Sequence, residues 1–303
     1  NIWQDGPTDE KAANLHTSSV HLIAKKSLGQ NFLKNTHIIN NIVLAGEISK
    51  DDIVVEIGPG AGALTAKILE TITNTKAKKL IAIEKDHRAI ELLQEKYKEY
   101  IEKGIFVLIE GDFLEMDLAQ ITEQEKFILI GNIPYYITGA ILRKSLESAH
   151  KPKRAVFLVQ KEVAERIVCR NTSESILSQS IRIFGDAELL MHVSKGNFVP
   201  APKVDSAVIR INSISDKKLT DAHITSESFF DILHAGFAHK RKKMFSNICE
   251  YLEKAISNRD KDEIKQTLQQ IFTTSGLSEN SRAEELTNNQ WILLVSKISS
   301  DIL

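Results

Sequence analysis

The fold is decided by one stretch, residues 53–62, which reads Ile53-Val54-Val55-Glu56-Ile57-Gly58-Pro59-Gly60-Ala61-Gly62. Its apolar first half is typical of a short strand that is buried on both faces of a parallel sheet. The glycines that follow allow a sharp turn and a close approach between the backbone and a ligand. Their spacing does not match the dinucleotide-binding fingerprint, and a tight strand-to-helix turn without a ligand would also explain them.

The same alternation of apolar runs and helical spacing continues on both sides of this stretch. We predict strands at residues 53–57, 80–83, 105–109, 127–130, 155–159 and 204–211, and helices at residues 38–48, 63–72, 88–102 and 140–148. Strands that alternate with helices indicate an α/β fold, with a mostly parallel sheet and helices on both of its faces.

The C-terminal part of the chain changes character after residue 211. Residues 212–225 are polar and are interpreted as a linker. Beyond them the spacing predicts only helices, at residues 229–238, 245–256, 262–272 and 289–298. We therefore predict a flexible N-terminal tail at residues 1–24, a catalytic domain at residues 25–211 and a small all-helical domain at residues 212–303.

The composition is that of an ordinary globular protein, with 303 residues, 42% hydrophobic residues and a formal net charge of -1. The net charge gives no argument for a polyanionic partner, so a nucleic-acid surface would have to come from local clusters of Lys and Arg. The two cysteines, Cys169 and Cys249, have neither metal-ligand nor redox spacing. No apolar run approaches the roughly 20 residues that span a bilayer. We expect a soluble cytoplasmic protein with no metal site and no membrane contact.

Two acidic residues stand where the next two predicted strands end. Glu84 ends the run at 80–83, and Asp112 closely follows the run at 105–109. The carboxyl ends of parallel strands meet at one edge of a sheet, where Glu84 could accept both hydroxyls of a ribose and Asp112 an adenine amine. Each acid alone could equally be a solvated loop residue. With the glycine turn they predict a nucleoside site, where Glu56 holds the loop or approaches a positively charged methionine end.

The predicted strand at 127–130 leads into the tetrapeptide Asn132-Ile133-Pro134-Tyr135, which indicates methyl transfer to the amine of a planar base. Adenine N6 is a poor nucleophile, because its lone pair is delocalised into the ring. The side-chain carbonyl of Asn132 and the main-chain carbonyl of Ile133 could accept its two N–H groups and favour a pyramidal nitrogen. Pro134 fixes the turn, and Tyr135 offers a stacking face that contributes about 1–3 kcal/mol. The alternative is a Pro-Tyr turn that only packs on the sheet edge.

A second aromatic candidate is Phe198, which precedes a stiff segment with prolines at positions 200 and 202. This segment could hold the ring opposite Tyr135, so that the target base is sandwiched. A single phenylalanine is more often part of a hydrophobic core. Both interpretations stay open at this point.

Taken together, these motifs resemble the ribosomal small-subunit RNA adenine dimethyltransferase family. The resemblance covers residues 25–295 and begins at Lys26-Ser27-Leu28-Gly29-Gln30-Asn31-Phe32-Leu33. It continues through the glycine turn, Glu84, Gly111-Asp112, the tetrapeptide, residues 160–166 and residues 202–207. This chain departs from many members at Ile133, at Tyr136, where an Asn is usual, and at residues 173–178.

The resemblance implies a Rossmann-like methyltransferase fold with S-adenosyl-L-methionine as cofactor. The substrate would be small-subunit (16S) rRNA in a 30S-type pre-ribosomal particle, with two neighbouring adenosines near the 3′ end each receiving two methyl groups. We expect a monomer. The resemblance implies that Phe198 is the second stacking aromatic and that cofactor contacts fall at Asn31, Leu33, Gly58, Glu84, Asp112 and Asn132. We add Gln30, Glu56, Gly60 and Phe113 to the predicted cofactor site.

The densest basic cluster is Lys240-Arg241-Lys242-Lys243, in the helical region. A solvated helix face would explain it as well as contacts with phosphates. Phosphate contacts give affinity with little sequence information, which suits an enzyme that recognises folded rRNA by shape. The cluster also resembles the family's C-terminal domain. Further candidates for RNA contacts are Lys25, Lys26, Lys161 and Arg166.

Two other functions stay open. One is a large-subunit rRNA adenine N6-methylase of the macrolide-resistance type, which shares the catalytic motifs but fits the basic C-terminal segment less well. The other is a non-catalytic RNA-binding assembly or transcription factor on the same scaffold. The intact glycine turn, Glu84, Asp112 and Asn132 argue against a loss of catalysis.

Overall fold

The computed structural model describes residues 22–25, 28–168, 173–239, 241–257 and 259–303. Its strands are β1 (Phe32–Leu33), β2 (Ile53–Ile57), β3 (Lys79–Glu84), β4 (Phe106–Glu110), β5 (Phe127–Asn132), β6 (Arg154–Gln160), β7 (Asp186–Val193), β8 (Phe198–Val199) and β9 (Ser206–Asn212). Its first eight helices are α1 (Thr36–Ala45), α2 (Ala63–Thr75), α3 (His87–Lys96), α4 (Lys98–Glu102), α5 (Leu118–Ile121), α6 (Thr138–Glu147), α7 (Lys161–Ile167) and α8 (Ile176–Arg182). The last five are α9 (Lys217–Asp221), α10 (Ser226–Phe237), α11 (Met244–Ala255), α12 (Lys261–Thr274) and α13 (Asn288–Asp301).

The centre of the molecule is a seven-stranded sheet in the order β4-β3-β2-β5-β6-β9-β7. The first five of these strands are parallel, whereas β9 runs antiparallel to both β6 and β7. Every residue of β2 is buried, as expected for a central strand that is covered on both faces. The predicted α/β fold with a mostly parallel sheet is thus confirmed.

Successive side chains of a strand point to opposite faces of the sheet, so a strand of apolar residues presents hydrophobic side chains on both faces. Helices cover both faces and bury these side chains. In β2, the side chains of Ile53, Val55 and Ile57 join one hydrophobic cluster, and that of Val54 joins a second one. The second cluster includes the apolar side of α1 and α2. This layering leaves the carboxyl edge of the parallel strands open, and the turns that follow the strands meet there.

Two differences from the predicted elements have clear physical reasons. The predicted helix at 88–102 is two helices, because Tyr97 leaves helical geometry (φ -116, ψ 24). Its buried ring packs below the glycine turn, where the hydroxyl donates to the carbonyl oxygen of Gly62 at 3.1 Å. Strand β7 was missed, because it lies at the sheet edge with mostly half-exposed residues and so has no continuous apolar run.

The C-terminal helices pack onto the sheet through the same hydrophobic cluster that contains Ile53 and Val55. The rings of Phe184 and Phe230 are 6.0 Å apart between centroids. The buried Gln179 side chain donates to the carbonyl oxygen of Leu286 at 3.1 Å. The segment predicted as a linker contains the short helix α9. Within the residues that the structure describes, no helix combines the length and the apolar character needed to span a membrane.

Candidate active site

A cavity of about 340 Å³ lies at the carboxyl edge of β2, β3, β4 and β5. It brings together residues that are far apart in the sequence. All ten residues of the predicted cofactor site line it, namely Gln30, Asn31, Leu33, Glu56, Gly58, Gly60, Glu84, Asp112, Phe113 and Asn132. The rest of the tetrapeptide, residues 133–135, lines it as well.

The glycine turn forms one wall of the cavity. Gly58 has a φ of +63°, and a Cβ atom on it would meet no atom within 4 Å. Gly60 has a φ of +54°, and a Cβ atom there would lie 2.8 Å from the ring of Phe32. The first glycine thus keeps the wall open to a ligand, and the second lets Phe32 approach the turn.

Glu84 is a buried carboxylate, only 6% exposed, that ties the glycine turn to the end of β3. One oxygen accepts the main-chain N–H of Gly60 at 3.0 Å. The other accepts the N–H groups of Lys85 and Asp86, both at 2.8 Å. Three backbone donors therefore fix the orientation of this carboxylate, which suits a group that must accept hydrogen bonds from a ligand.

Asp112 is already engaged in two local contacts. Its side chain accepts the N–H of Leu114 at 3.0 Å and pairs with the Lys85 ammonium at 2.8 Å. The Lys85 ammonium holds the pKa of Asp112 below its usual range. The side chain stays a quarter exposed, so the charged carboxylate still faces the cavity.

Glu56 lies deeper, below the glycine turn, and is only 1% exposed. Its Oε2 accepts the hydroxyl of Thr65 at 2.8 Å, whereas its Oε1 is buried without a hydrogen-bond partner among the described residues. Burial raises the pKa of Glu56 to about 8; the Thr65 hydrogen bond opposes this shift, and the charge of Glu84 adds to it. At neutral pH this carboxyl group is therefore mostly protonated in the ligand-free protein.

This raised pKa predicts a specific pH dependence of stability. The folded protein retains a proton that the unfolded chain loses near pH 4.5, so the free energy of unfolding falls as the pH rises from about 4.5 to about 8. Above that range the contribution is constant. Glu56→Gln has the same shape and is always neutral, so it should remove this dependence. At pH 8 the variant should be more stable than the wild type by a few kcal/mol.

Urea unfolding between pH 5.5 and pH 8.5 measures the effect. Glu95→Gln, at an exposed position on α3, is the control and should keep the wild-type dependence. Equal pH dependence in the wild type and in Glu56→Gln would contradict the expectation.

The tetrapeptide begins at the last residue of β5, Asn132, and forms another part of the cavity wall. The side-chain Nδ2 of Asn132 donates to the carbonyl oxygen of Asn31 at 3.0 Å. Its Oδ1 has no hydrogen-bond partner among the described residues, so the amide presents an acceptor to the cavity. The hydroxyl of the half-buried Tyr135 is 2.6 Å from the Oγ of Ser206, which holds the ring at the cavity wall.

Phe198 is not among the residues that line the cavity, so its place opposite Tyr135 stays a prediction. Strand β8 pairs antiparallel with β1, with Phe198 opposite Leu33. That pairing packs the ring into the second hydrophobic cluster, where it is 2% exposed. In this structure the ring is therefore not accessible to a base. Tyr136, which is 65% exposed, is the exposed aromatic residue at the cavity.

Most of the predicted basic residues that the structure describes are paired with acidic side chains of their own surroundings. Lys26 and Lys240 lie outside the described residues. Several of the others have acidic partners: Lys25 with Asp86 at 3.7 Å, Lys161 with Glu165 at 3.9 Å, Arg166 with Glu162 at 2.8 Å and Lys242 with Glu250 at 3.4 Å. Arg241 and Lys243 are exposed. Residues 241–243 directly precede α11 and are not among the residues that line the cavity.

Three exposed lysines near the cavity were not predicted: Lys34, Lys195 and Lys203. None of them has an ion pair among the described residues. Asp205 links two segments of this region, because its side chain accepts the N–H of Lys195 and its main-chain oxygen accepts the N–H of Lys161, both at 3.0 Å. The next residue is Ser206, the partner of Tyr135. The sequence shows these lysines only as isolated charges, so no pattern could have revealed the group.

The cavity fits S-adenosylmethionine in the chemistry of its walls. Glu84 offers a fixed carboxylate for ribose hydroxyls, and Asp112 a charged acceptor for a base amine. The open space at Gly58 and the Oε1 of Glu56, which has no hydrogen-bond partner among the described residues, both lie at the carboxyl end of β2. This strand pairs with β5, which leads into the tetrapeptide. Among the described residues, no group of three or more His, Cys, Asp or Glu side chains is placed to hold a metal ion.

Comparisons with known proteins agree with this geometry. Residues 22–298 match the family model "Ribosomal RNA adenine dimethylase". The chain is similar to a ribosomal RNA small subunit methyltransferase A of Dehalococcoides mccartyi, with 34% identity over 274 residues, which cover 90% of this chain and 88% of the relative.

Two solved structures are similar over 89% of this chain. One is a dimethyladenosine transferase from Plasmodium falciparum, with a TM-score of 0.73, 26% identity and 98% of its own length covered. The other is the 23S rRNA methyltransferase ErmE, with a TM-score of 0.65, 22% identity and 100% of its length covered, a likeness that shows the fold alone. With the family model spanning nearly the whole chain and the cavity built as described, this protein belongs to the ribosomal RNA adenine dimethylase family.

Proposed function

We propose that this enzyme transfers methyl groups from S-adenosylmethionine to the N6 amines of two adjacent adenosines near the 3′ end of small-subunit rRNA. One observation carries the proposal most directly. The Asn132 side-chain nitrogen donates to the carbonyl oxygen of Asn31. The Asn132 side-chain oxygen is therefore left as an acceptor in the cavity that the predicted cofactor residues line. The name of the Dehalococcoides relative supports the small subunit as the source of the RNA.

The chain's part in the reaction is to position and polarise the target amine. S-adenosylmethionine supplies the methyl group on a positively charged sulfur. The Asn132 oxygen and the main-chain carbonyl of Ile133 accept the two N–H groups of adenine N6, which favours a pyramidal nitrogen with an available lone pair. A strong base is unnecessary, because the amine becomes acidic only after the methyl group has moved. Most of the rate enhancement then comes from orientation and from fixed dipoles.

Tyr135 supplies a stacking face for the target base, with its ring fixed by the hydrogen bond to Ser206. Base–aromatic stacking contributes about 1–3 kcal/mol. A hydroxyl that is held at 2.6 Å limits rotation of the ring, so little conformational entropy is lost when the base binds. Stacking on Phe198 as the second ring would require that its buried side chain become exposed.

We also propose that the RNA backbone follows the exposed lysines Lys34, Lys195 and Lys203 beside Tyr135, together with Arg241 and Lys243 farther away. Lys161, Arg166 and Lys242 would have to exchange an acidic partner for a phosphate, and Lys25 is held by Asp86. Phosphate contacts near the target base would set its position without reading the sequence.

Replacing Lys34, Lys195 and Lys203 together by glutamine should weaken RNA binding and reduce its salt dependence. Each lost phosphate contact lowers the slope of log K against log[salt] by about 0.7 on single strands and about 0.9 on duplexes. We therefore expect a slope smaller by about 2 to 3, with unchanged affinity for S-adenosylmethionine. Filter binding of small-subunit rRNA over a series of salt concentrations measures the slope.

The matched control replaces Lys50, Lys76 and Lys126 by glutamine. These lysines are exposed and lie near the amino ends of β2, β3 and β5, at the opposite edge of the sheet, and the change in net charge is the same. An equal loss of slope in both triple variants would mean that total charge, and not this surface, governs binding.

Mass mapping of methylated adenines in rRNA tests the function. The purified protein and cofactor are incubated with immature small subunits and, separately, with naked large-subunit RNA. Two adjacent dimethylated adenosines in the small subunit are the expected result, and we infer that the enzyme acts on this pre-ribosomal particle as a cytoplasmic monomer. Methylation of large-subunit RNA alone would support the macrolide-resistance type. Absence of cofactor binding in calorimetry would support a non-catalytic scaffold.

A further inference from the structure

Asp86 lies two residues beyond Glu84 and is the hub of a buried polar network outside the cavity. It is 3% exposed, and it is not among the residues that line the cavity. The Arg88 guanidinium binds both of its oxygens, at 3.0 and 2.6 Å. Its main-chain N–H donates to Glu84, so the network and the proposed ribose carboxylate share one turn.

The same carboxylate also holds the N-terminal arm, by which we mean residues 22–25 and 28–33. The Nε2 of Gln30 donates to Asp86 Oδ2 at 3.0 Å, and the Lys25 ammonium is 3.7 Å from Oδ1. Arg88 extends the contact, because its Nη1 donates to the carbonyl oxygen of Ile23 at 3.2 Å. Within the arm, Gln30 Oε1 accepts the N–H of Lys25 at 2.8 Å.

The far end of the arm reaches the reacting groups. Residues 28–33 line the cavity, and the carbonyl oxygen of Asn31 orients the Asn132 amide. Gln30, which contacts Asp86, and Asn31, which contacts Asn132, are adjacent residues of the chain. A displacement of the arm at Gln30 would therefore change both the cavity wall and the orientation of the amide.

We propose that Asp86 is a positioning residue, which latches the N-terminal arm over the cofactor cavity through Gln30 and thereby keeps Asn132 aligned. The proposal rests on the proposed function of this cavity as the cofactor site. Both polar ends of the Gln30 side chain are used within this latch, so its amide group holds the arm, while the residue also lines the cavity. The Arg88 guanidinium holds the pKa of Asp86 well below its usual range, so the latch stays charged at physiological pH.

The test compares Asp86→Asn and Gln30→Ala with the wild type in the full chain. Each variant should raise the Kd for S-adenosylmethionine about tenfold and speed its dissociation, because one charge-assisted hydrogen bond is lost. The KM for the cofactor should rise and kcat should fall, whereas the KM for RNA stays unchanged. The double variant should be no worse than the worse of the two single variants, because both remove the same contact.

Asp117→Asn is the matched control. Asp117 accepts the N–H groups of Ala119 and Gln120 at the start of α5, just as Asp86 caps α3, but it is exposed and makes no contact with the arm. This control should bind the cofactor like the wild type. It therefore separates the effect of an Asp→Asn change at a helix N-cap from the loss of the latch.

A reversed hydrogen bond gives a further check. Gln30→Glu alone places a carboxylate against Asp86 and should weaken cofactor binding more than Gln30→Ala does. Combining Gln30→Glu with Asp86→Asn lets the new amide donate to the new carboxylate, so part of the affinity should return. A merely structural effect of Asp86 would not be reversed in this way.

Cofactor affinity within twofold of the wild type in both Gln30→Ala and Gln30→Glu would overturn the proposal, and these two variants carry the test if Asp86→Asn fails to fold. Binding is measured by calorimetry without RNA. A failed latch therefore appears as normal binding by the variants, whereas a failed proposed function appears as a wild type that does not methylate small-subunit adenines.

Discussion

Asn132→Ala is expected to lower kcat for methyl transfer by about 100- to 1,000-fold, because a preoriented hydrogen-bond partner of the reacting group is lost. The Asn132 oxygen is available to the target amine, since the amide nitrogen is bound to the carbonyl oxygen of Asn31 at 3.0 Å. Alanine removes both contacts. The Kd for S-adenosylmethionine should rise by less than about fivefold, because the larger part of the cavity wall is unchanged.

Single-turnover methylation with saturating cofactor measures this loss separately from binding. Asn132→Asp keeps an oxygen that can accept from the target amine. Its second carboxylate oxygen replaces the amide nitrogen and is repelled by the carbonyl oxygen of Asn31, so methyl transfer by this variant should also be strongly impaired. Asn41→Ala on α1 is the control, since its side chain is hydrogen-bonded to His37 on the same helix and does not line the cavity, and it should be fully active. A fully active Asn132→Ala would remove this residue from the mechanism.

Glu84→Gln is expected to have the largest effect on cofactor binding, with the Kd for S-adenosylmethionine raised about 100-fold. The carboxylate accepts three main-chain N–H groups, including that of Gly60 in the glycine turn. In the glutamine variant, the side-chain NH2 group replaces one carboxylate oxygen and faces main-chain N–H donors that it cannot accept. Each hydrogen bond to a charged group contributes about 1.5–3 kcal/mol to stability, so the loss is large. The variant therefore loses both a proposed ribose acceptor and the fixed position of the turn.

Glu110→Gln is the matched control for this prediction. Glu110 is opposite Glu84 in the parallel register of β3 and β4, but it is exposed, and no backbone N–H of the turn binds to it. Calorimetry should give this control a wild-type Kd. If Glu84→Gln and Glu110→Gln bound the cofactor equally well, Glu84 would have no special role at this edge of the sheet.

The central site was readable from the sequence because it depends on strand order and not on detailed packing. Short apolar runs fixed strands β2 to β6, and the carboxyl ends of parallel strands must meet at one edge. Glycines, carboxylates and the tetrapeptide all follow such strand ends. Their meeting in one cavity therefore follows from the topology of the parallel strands, whereas Gln30, Asn31 and Leu33, which also line the cavity, were predicted through the family resemblance.

Other features were decided by contacts that leave no local signal. Strand β7 lies at the sheet edge with half-exposed side chains, and the helical break at Tyr97 exists because its ring supports Gly62. The ring of Phe198 was predicted to face the target base, but pairing of β8 with β1 buries it. Each depends on a partner from another part of the chain.

The sequence by itself determined the mostly parallel sheet and the residues at the carboxyl ends of its strands, including the tetrapeptide, whereas the order of the strands was seen only in the structure. Periodicity and turn chemistry are local properties, and they are written into consecutive residues. Only the tertiary structure decided how the N-terminal arm is held, because Gln30 and Asp86 are 56 residues apart. Neither residue belongs to a repeating pattern that could predict their contact, and the burial that makes the contact strong exists only in the folded chain.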